Sequence, residues 1–240
     1  GGGPESALPH AWGWGRFRAR TVVFSVTRGQ TSLPGMYESM IPSGSIQIRR
    51  VEWRAEGSRA IVLLVPGFAE HLGRYSHVAK ALNDRGFSVV GIDLPGHGKS
   101  TGRRGDIERF EDFLDAVDAL YESIEPSQGR VPLVFLGHSL GGLIVLRWLQ
   151  TRRTRPDLVV LSAPWLATSP TLSRLTVLFK KIMGVVAPGV PVRRPIRPSG
   201  LTRDPEMQTA RVSDPMVVNR ISARLVGEVE SAQGEALTAG

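Results

Sequence analysis

The sequence predicts an α/β fold, a mostly parallel sheet with helices on both faces and a helical insertion. Three observations predict it. Several short runs are apolar at every position, and such runs suit strands buried on both faces. Between them lie stretches with apolar residues at helical spacing. One strand-like run passes straight into a helix-like one through Gly137-His138-Ser139-Leu140-Gly141-Gly142.

The elements follow in order. Ser45 to Arg54 alternates apolar and polar residues, which predicts an antiparallel edge strand. Arg59 to Val65 is a buried strand ending in Pro66-Gly67. Tyr75 to Asn83 has helical spacing through Tyr75, Val78, Ala79 and Leu82. Phe87 to Asp93 is a second buried strand, and Phe110 to Ile124 an amphipathic helix. Val131 to Leu136 is a third buried strand, Leu140 to Leu149 a helix, and Leu158 to Leu161 a fourth strand. Together residues 41–163 form the expected core.

Residues 164–230 read as a cap inserted on that core. Thr168 to Val186 is apolar at helical spacing, Pro188 to Pro198 is rich in proline and arginine, and Ser213 to Ser231 supplies one more helix or two. Between Pro164 and Thr202 stand Arg174, Lys180, Lys181, Arg193, Arg194 and Arg197, with no acidic residue. Residues 1–40 read as a poorly ordered extension, with Met36 or Met40 as a plausible natural start.

Composition bounds the chemistry. The 240 residues hold 30 basic and 22 acidic side chains, a net charge of +8. That balance favours anionic partners such as a membrane surface, nucleic acid or acidic ligands. No helix-turn-helix, RNA-binding or zinc-finger pattern accompanies it, so no nucleic-acid partner is expected. The absence of cysteine excludes a disulfide scaffold, cysteine-held metal and a thiol nucleophile. No apolar run approaches the roughly 18 residues of a membrane span, and no signal-peptide core is visible. The expected location is cytoplasmic or peripheral to a membrane.

The chemistry centres on Ser139. In G-x-S-x-G between strand and helix, the turn is so tight that the flanking positions must lack side chains, hence Gly137 and Gly141. Ser139 Oγ then stands at the sheet's rim, where the free N–H of Leu140 can stabilise an oxyanion. A bland reading, a glycine-rich turn with an incidental serine, has the same composition but no reason for this placement. A second oxyanion donor is expected from the loop at 66–75. His71 and His97 could each be imagined as a base, but loop-holding hydrogen bonds suit them better, as they do Asp93. The Arg103-Arg104-Gly105 run suits a solvated loop better than a phosphate site.

At these motifs the sequence resembles a known family, the α/β-hydrolases of the monoacylglycerol lipase and lysophospholipase group. The resemblance rests on G-x-x-E-H-x-G-R-Y at 67–75, D-x-x-G-H-G-x-S-x-G at 93–102 and G-H-S-L-G-G at 137–142. Leu161 to Pro164, Thr202 to Pro205, Val186 to Pro191 and Ser213-Asp214-Pro215 extend it over residues 41–240. It implies a serine ester hydrolase of the α/β-hydrolase fold, needing no cofactor and no metal and acting on a lipid ester. Ser139 would be the nucleophile and the Phe68 and Leu140 amides the oxyanion hole. Glu70, Arg74 and His138 would line the substrate site, the first two toward the glycerol end. Two residues depart from the family, Pro66 in place of the usual histidine and Ala69 in place of a common glycine.

One expectation of the resemblance is unmet. The triad order is serine, acid, histidine. The five histidines are 10, 71, 77, 97 and 138, all before Ser139. The reading is therefore a fragment that lacks the triad acid and base and about two strands, with residues 231–240 leading into the missing part. On its own it would be weakly active or inactive. Rival readings are another activity on the same fold (thioesterase, proline-type aminopeptidase, cofactor-free haloperoxidase) and a non-catalytic remnant or binding module. The basic, apolar cap suggests peripheral contact with anionic lipid, or simply a helix packed on the sheet with its arginines in water. The oligomeric state is not legible.

Overall fold

A computed structural model of the chain describes residues 35–124, 131–167, 191–192 and 198–239. The core is a six-stranded sheet in the order β1-β2-β4-β3-β5-β6. These strands are β1 (Met36–Ser43), β2 (Ile46–Trp53), β3 (Ala60–Val65), β4 (Phe87–Ile92), β5 (Leu133–His138) and β6 (Leu158–Ser162). β1 and β2 are antiparallel, as are β2 and β4; β3 is parallel to β4 and β5, and β5 to β6.

The continuous apolar runs explain the layering. Ile61, Leu63 and Val65 point to one face of β3, and Val62 and Leu64 to the other. The first face packs against α2 (Glu111–Glu122), α3 (Leu140–Thr151) and α5 (Ala223–Thr238), through Phe113, Leu120, Leu143, Trp148, Leu225 and Val229. The second packs against α1 (Ser76–Asn83) through Ala79, and against Leu72 in the 3-10 turn before it. Each such side chain contributes about 1.5–3 kcal/mol by leaving water. Between α3 and α2, the Trp148 indole N–H donates to Asp118 at 2.6 Å, and the Arg152 guanidinium meets Glu111, Asp115 and Asp118.

The remaining elements lie near the carboxyl end of the sheet's sequence. α4 (Pro205–Ser213) starts on Asp204, whose carboxylate accepts from the Glu206 N–H at 2.9 Å, with proline at the first helical position. β7 (Pro191–Val192) pairs with β8 (Ile221–Ser222). α5 starts on Ser222, whose hydroxyl accepts from the Leu225 N–H.

The structure departs from the sequence expectation in several places. Residues 36–40, expected in a poorly ordered extension, belong to β1. β2 is therefore not the edge, because β1 covers it. The expected cap end at 230 falls inside α5, which packs in the same core as the sheet from Ile221 to Ala236. That helix also occupies most of 231–240. Finally, β6 is buried on one face only: Leu158 is 51% and Val160 43% exposed. The apolar segment 168–186 and the six basic residues of the expected cap lie outside the described residues.

Candidate active site

Ser139 is the junction between β5 and α3. Its backbone sits at φ 51° and ψ −113°, a region that costs a non-glycine residue about 1–3 kcal/mol. The surroundings hold it there. Its N–H donates to the Ser162 carbonyl at 3.0 Å, continuing the β5–β6 ladder. Its carbonyl accepts from Gly142 at 3.0 Å, Leu143 at 3.2 Å and Trp165 at 2.9 Å.

The neighbouring glycines are required sterically. A Cβ on Gly137 would sit 2.5 Å from the Gly141 carbonyl oxygen. One on Gly141 would sit 2.1 Å from the Val65 oxygen and 2.5 Å from the Pro66 oxygen. One on Gly142 would meet Pro164 at 2.9 Å. The start of α3 thus lies against the end of β3, which carries the loop expected to donate to the oxyanion.

That loop is brought to the nucleophile. The position of a Cβ on Gly67 would be 3.0 Å from Glu70 Oε2, 3.3 Å from His138 Cδ2 and 3.3 Å from Ser139 Cβ. Glu70, His138 and Ser139 therefore converge on one backbone point. Among the described residues, neither the Phe68 nor the Leu140 N–H donates a hydrogen bond, so both amides are available to a ligand. No described side chain hydrogen-bonds Ser139 Oγ, and Ser139 is half-buried.

The loop's shape is fixed from several sides. Ala69 is fully buried at φ 60°, where glycine would be at ease. The Glu70 carboxylate accepts from the Gly67 N–H at 3.2 Å and from the Tyr75 hydroxyl. Burial, reinforced by the Glu70 charge, pushes the Tyr75 phenol well above its usual range, so it stays a donor. His71 Nδ1 accepts from the Gly73 N–H at 3.2 Å, so Nε2 carries the proton and donates to Asp214 at 2.7 Å. Both ring nitrogens are thereby engaged in holding the loop. Asp93, fully buried, accepts from the Leu72 N–H at 2.6 Å, the Lys99 N–H at 2.9 Å and Arg49 at 3.2 Å.

His97 lies beneath the donor loop, its ring edge-on to Phe68 at 5.4 Å. Its Nδ1–H donates to the Pro95 carbonyl at 2.9 Å, and its Nε2 has no partner. Desolvation lowers its pKa to about 4, so the buried ring is neutral at pH 7. Arg104 donates to the Gly98 and Met216 carbonyls, which makes it a loop brace.

His138 Nδ1 is 3.2 Å from the Ser162 hydroxyl. The Arg74 guanidinium lies 4.0 Å from Asp214. Sequence reasoning assigned no role to Arg211, Tyr75 or Asp214, although S-D-P at 213–215 was part of the resemblance. Among the described residues no group of acidic and histidine side chains is arranged to hold a metal ion. A cavity of about 220 Å³ lies elsewhere, at the β1–β2 end, lined by Ser39, Arg50, Glu52 and Ser123 among others.

Comparison with known proteins places this geometry in a family. Residues 56–239 match the family described as serine aminopeptidase, S33. A monoacylglycerol lipase of Mycolicibacterium smegmatis is 32% identical over 194 residues, 80% of this chain and 66% of that protein. The phospholipase YtpA of Bacillus subtilis is 31% identical over 185 residues, 75% of this chain and 71% of that protein. The chain thus spans about two thirds of the length of these relatives. The crystal structure of Paleococcus ferrophilus monoacylglycerol lipase superposes with a TM-score of 0.68 at 35% identity, covering 79% of this chain and 71% of that one. A Saccharomyces cerevisiae monoglyceride lipase variant, solved with a substrate analogue, shares the fold with a TM-score of 0.76 at 20% identity, covering 87% and 71%. Among the described residues no helix is long and apolar enough to cross a membrane. The expected resemblance to monoacylglycerol lipases holds, and the chain belongs to the serine aminopeptidase S33 family of α/β-hydrolases.

Proposed function

We propose that the chain carries the acyl-transfer centre of a serine hydrolase that cleaves the carboxylic ester of a single-chain lipid, a monoacylglycerol or a lysophospholipid. The observation that carries this reading is Ser139 at φ 51°, held on a strand–helix turn whose flanking glycines admit no side chain. A strained serine retained at such a site fits a nucleophile and has no packing purpose. The names of the relatives, lipases and a phospholipase at 31–35% identity, point to the ester and the lipid.

The steps follow from the geometry. Ser139 Oγ attacks the ester carbonyl carbon and gives its proton to a base. The carbonyl oxygen becomes an oxyanion and takes hydrogen bonds from the free Phe68 and Leu140 amides. The tetrahedral adduct expels the alcohol, which takes a proton, and leaves an acyl-Ser139 ester. Water then releases the fatty acid and restores the serine. Glu70 and His138, which converge with Ser139 on Gly67, border the leaving alcohol.

No histidine follows Ser139 in these 240 residues. Removing a triad histidine lowers turnover by about 10⁶-fold, while oxyanion hole and binding retain about 10³–10⁴ over water. The 240-residue chain on its own is therefore weakly active or inactive, and exogenous imidazole is the natural substitute base. The test is hydrolysis of p-nitrophenyl butyrate with and without imidazole, comparing wild type with Ser139→Ala. An imidazole-dependent increment that Ser139→Ala lacks supports the reading. Identical rates in both proteins refute it.

The family description favours a second reading, cleavage of an amino-terminal peptide bond. Amide cleavage needs the leaving amine protonated, which makes it more dependent on the base than ester cleavage. Proline p-nitroanilide in place of the ester separates the two. Peripheral contact with anionic lipid through the basic segment 174–197 is part of the proposal on sequence grounds alone. Equal sedimentation with anionic and neutral vesicles would remove it.

A further inference from the structure

The carbonyl of Ser139 and the N–H of Leu140 belong to one peptide group, so a donor to that carbonyl also polarises that N–H. Gly142 and Leu143 donate to it from the first turn of α3. The Trp165 N–H donates to it from outside the helix, at 2.9 Å. Trp165 lies in the turn that follows β6. Ala163 there sits at φ 44°, a costly conformation without glycine, and the Leu166 N–H closes a three-residue turn on the Pro164 carbonyl at 2.9 Å. A Cβ on Gly142 would meet Pro164 at 2.9 Å, so this turn is seated directly on the start of α3.

The turn is held in its place from the last helix. Gln233 of α5, 5% exposed, donates its Nε2 amide to the Trp165 carbonyl at 3.0 Å. The other buried residues of that helix are apolar, among them Leu225, Val226, Val229, Ala232 and Ala236. A buried carboxamide among them serves no packing purpose. The bonds form a continuous relay. The Gln233 amide donates to the 165–166 peptide, and the Leu166 N–H of that peptide donates to the 164–165 peptide. The Trp165 N–H of the latter donates to the 139–140 peptide, which ends in the free Leu140 N–H. Every link runs donor to acceptor toward Leu140, so each bond strengthens the next by about 10–30%.

We propose that Gln233 is a positioning residue for acyl transfer: through Trp165 it fixes and polarises the Leu140 amide as an oxyanion donor. The proposal rests on the hydrolase reading for the role of Leu140, but the relay itself can be tested without turnover. The experiment compares wild type with Gln233→Leu and with the control Gln150→Leu. Gln150 also ties α5 to α3, donating to the Ala236 carbonyl at 3.0 Å and the Ala239 carbonyl at 3.3 Å, but it has no part in the relay.

Acylation of Ser139 by p-nitrophenyl butyrate with imidazole should slow about fivefold in Gln233→Leu, the effect of one hydrogen bond, at an unchanged half-saturating ester concentration. Gln150→Leu should stay within about twofold of wild type. Equal rates in wild type and Gln233→Leu, or equal losses in the two variants, would overturn the proposal. In nuclear magnetic resonance spectra the Leu140 amide proton should move upfield in Gln233→Leu, with those of Trp165 and Leu166, and hold its position in Gln150→Leu. An unmoved Leu140 amide refutes the relay. If Gln233→Leu fails to fold, wild type decides: the Trp165 and Leu166 amides should exchange with solvent at least about a hundredfold slower than in an unstructured peptide, and unprotected amides refute the relay. The expected Leu140 shift without any Ser139 acylation in wild type would sink the hydrolase reading and leave the relay standing. Acylation in wild type that Gln233→Leu fully retains would do the reverse.

Discussion

Gly141→Ala puts the architecture of the site to a quantitative test, because two effects of opposite sign compete there. Gly141 lies in the first turn of α3, with negative φ. Replacing a helical glycine by alanine ordinarily stabilises by about 1 kcal/mol. Here the new methyl would sit 2.1 Å from the Val65 oxygen and 2.5 Å from the Pro66 oxygen. Both are backbone atoms of the sheet and of the donor loop, so no side chain can swing aside. Relief requires α3 to move off β3 by more than an ångström, at a cost of about 3 kcal/mol or more. The net expectation is a loss of about 2 kcal/mol or more in urea unfolding. Gly227→Ala and Gly234→Ala in α5, where a methyl meets nothing within 4 Å, should each gain about 0.5–1 kcal/mol. A Gly141→Ala protein as stable as wild type would refute the claim that the nucleophile turn is wedged against the donor loop.

Further outcomes follow from the same geometry. Ala69→Gly removes a left-handed strain of about 1–2 kcal/mol and adds unfolded-chain entropy of about 0.4–1 kcal/mol, so calorimetry should show a gain of up to about 1.5 kcal/mol. Asp214→Ala strands the buried His71 Nε2–H and should cost about 1–3 kcal/mol in urea unfolding, whereas Asp214→Asn keeps an acceptor and should cost less. His97, with pKa about 4 folded against 6.5 unfolded, contributes stability that is fully present above pH 6.5. The unfolded chain takes up the proton first as pH falls, so about 3 kcal/mol is lost between pH 6.5 and 4. His97→Gln should flatten the urea stability profile over that window. Glu38, held near pKa 2 first by its hydrogen bond to Arg49, would act in a lower window, between pH 4.5 and 2.

The parts of the fold that were legible in the sequence are those with a strong local signal. β3 is apolar throughout and β4 and β5 nearly so, with Ser88 and His138 the exceptions, because both faces are covered, and their helices carry the complementary period. β1 was missed because M-Y-E-S-M-I-P-S has no buried alternation: most of it is exposed and it carries a proline, as an edge strand can. Its presence then removed β2 from the edge. α5 was only partly seen, since its extent depends on packing against α3 rather than on a capping pattern at its far end.

The site divides in the same way. Ser139 and its glycines could be read from five residues because the turn's sterics are local. Glu70 and His138 came from the family resemblance, and the structure sets them beside Ser139 around Gly67. Arg211 and Asp214 carry no local signature. Their meaning depends on a fold that brings residues some 140 positions apart together, His71 to Asp214 and Glu70 to Arg211.

The most direct measurement of the central claim is intact-protein mass spectrometry after incubation with excess p-nitrophenyl butyrate and imidazole, followed by peptide mapping. A single butyryl group on Ser139, absent from the Ser139→Ala protein, is the predicted result. Acylation spread over lysines, with the 139 peptide unmodified, would contradict it.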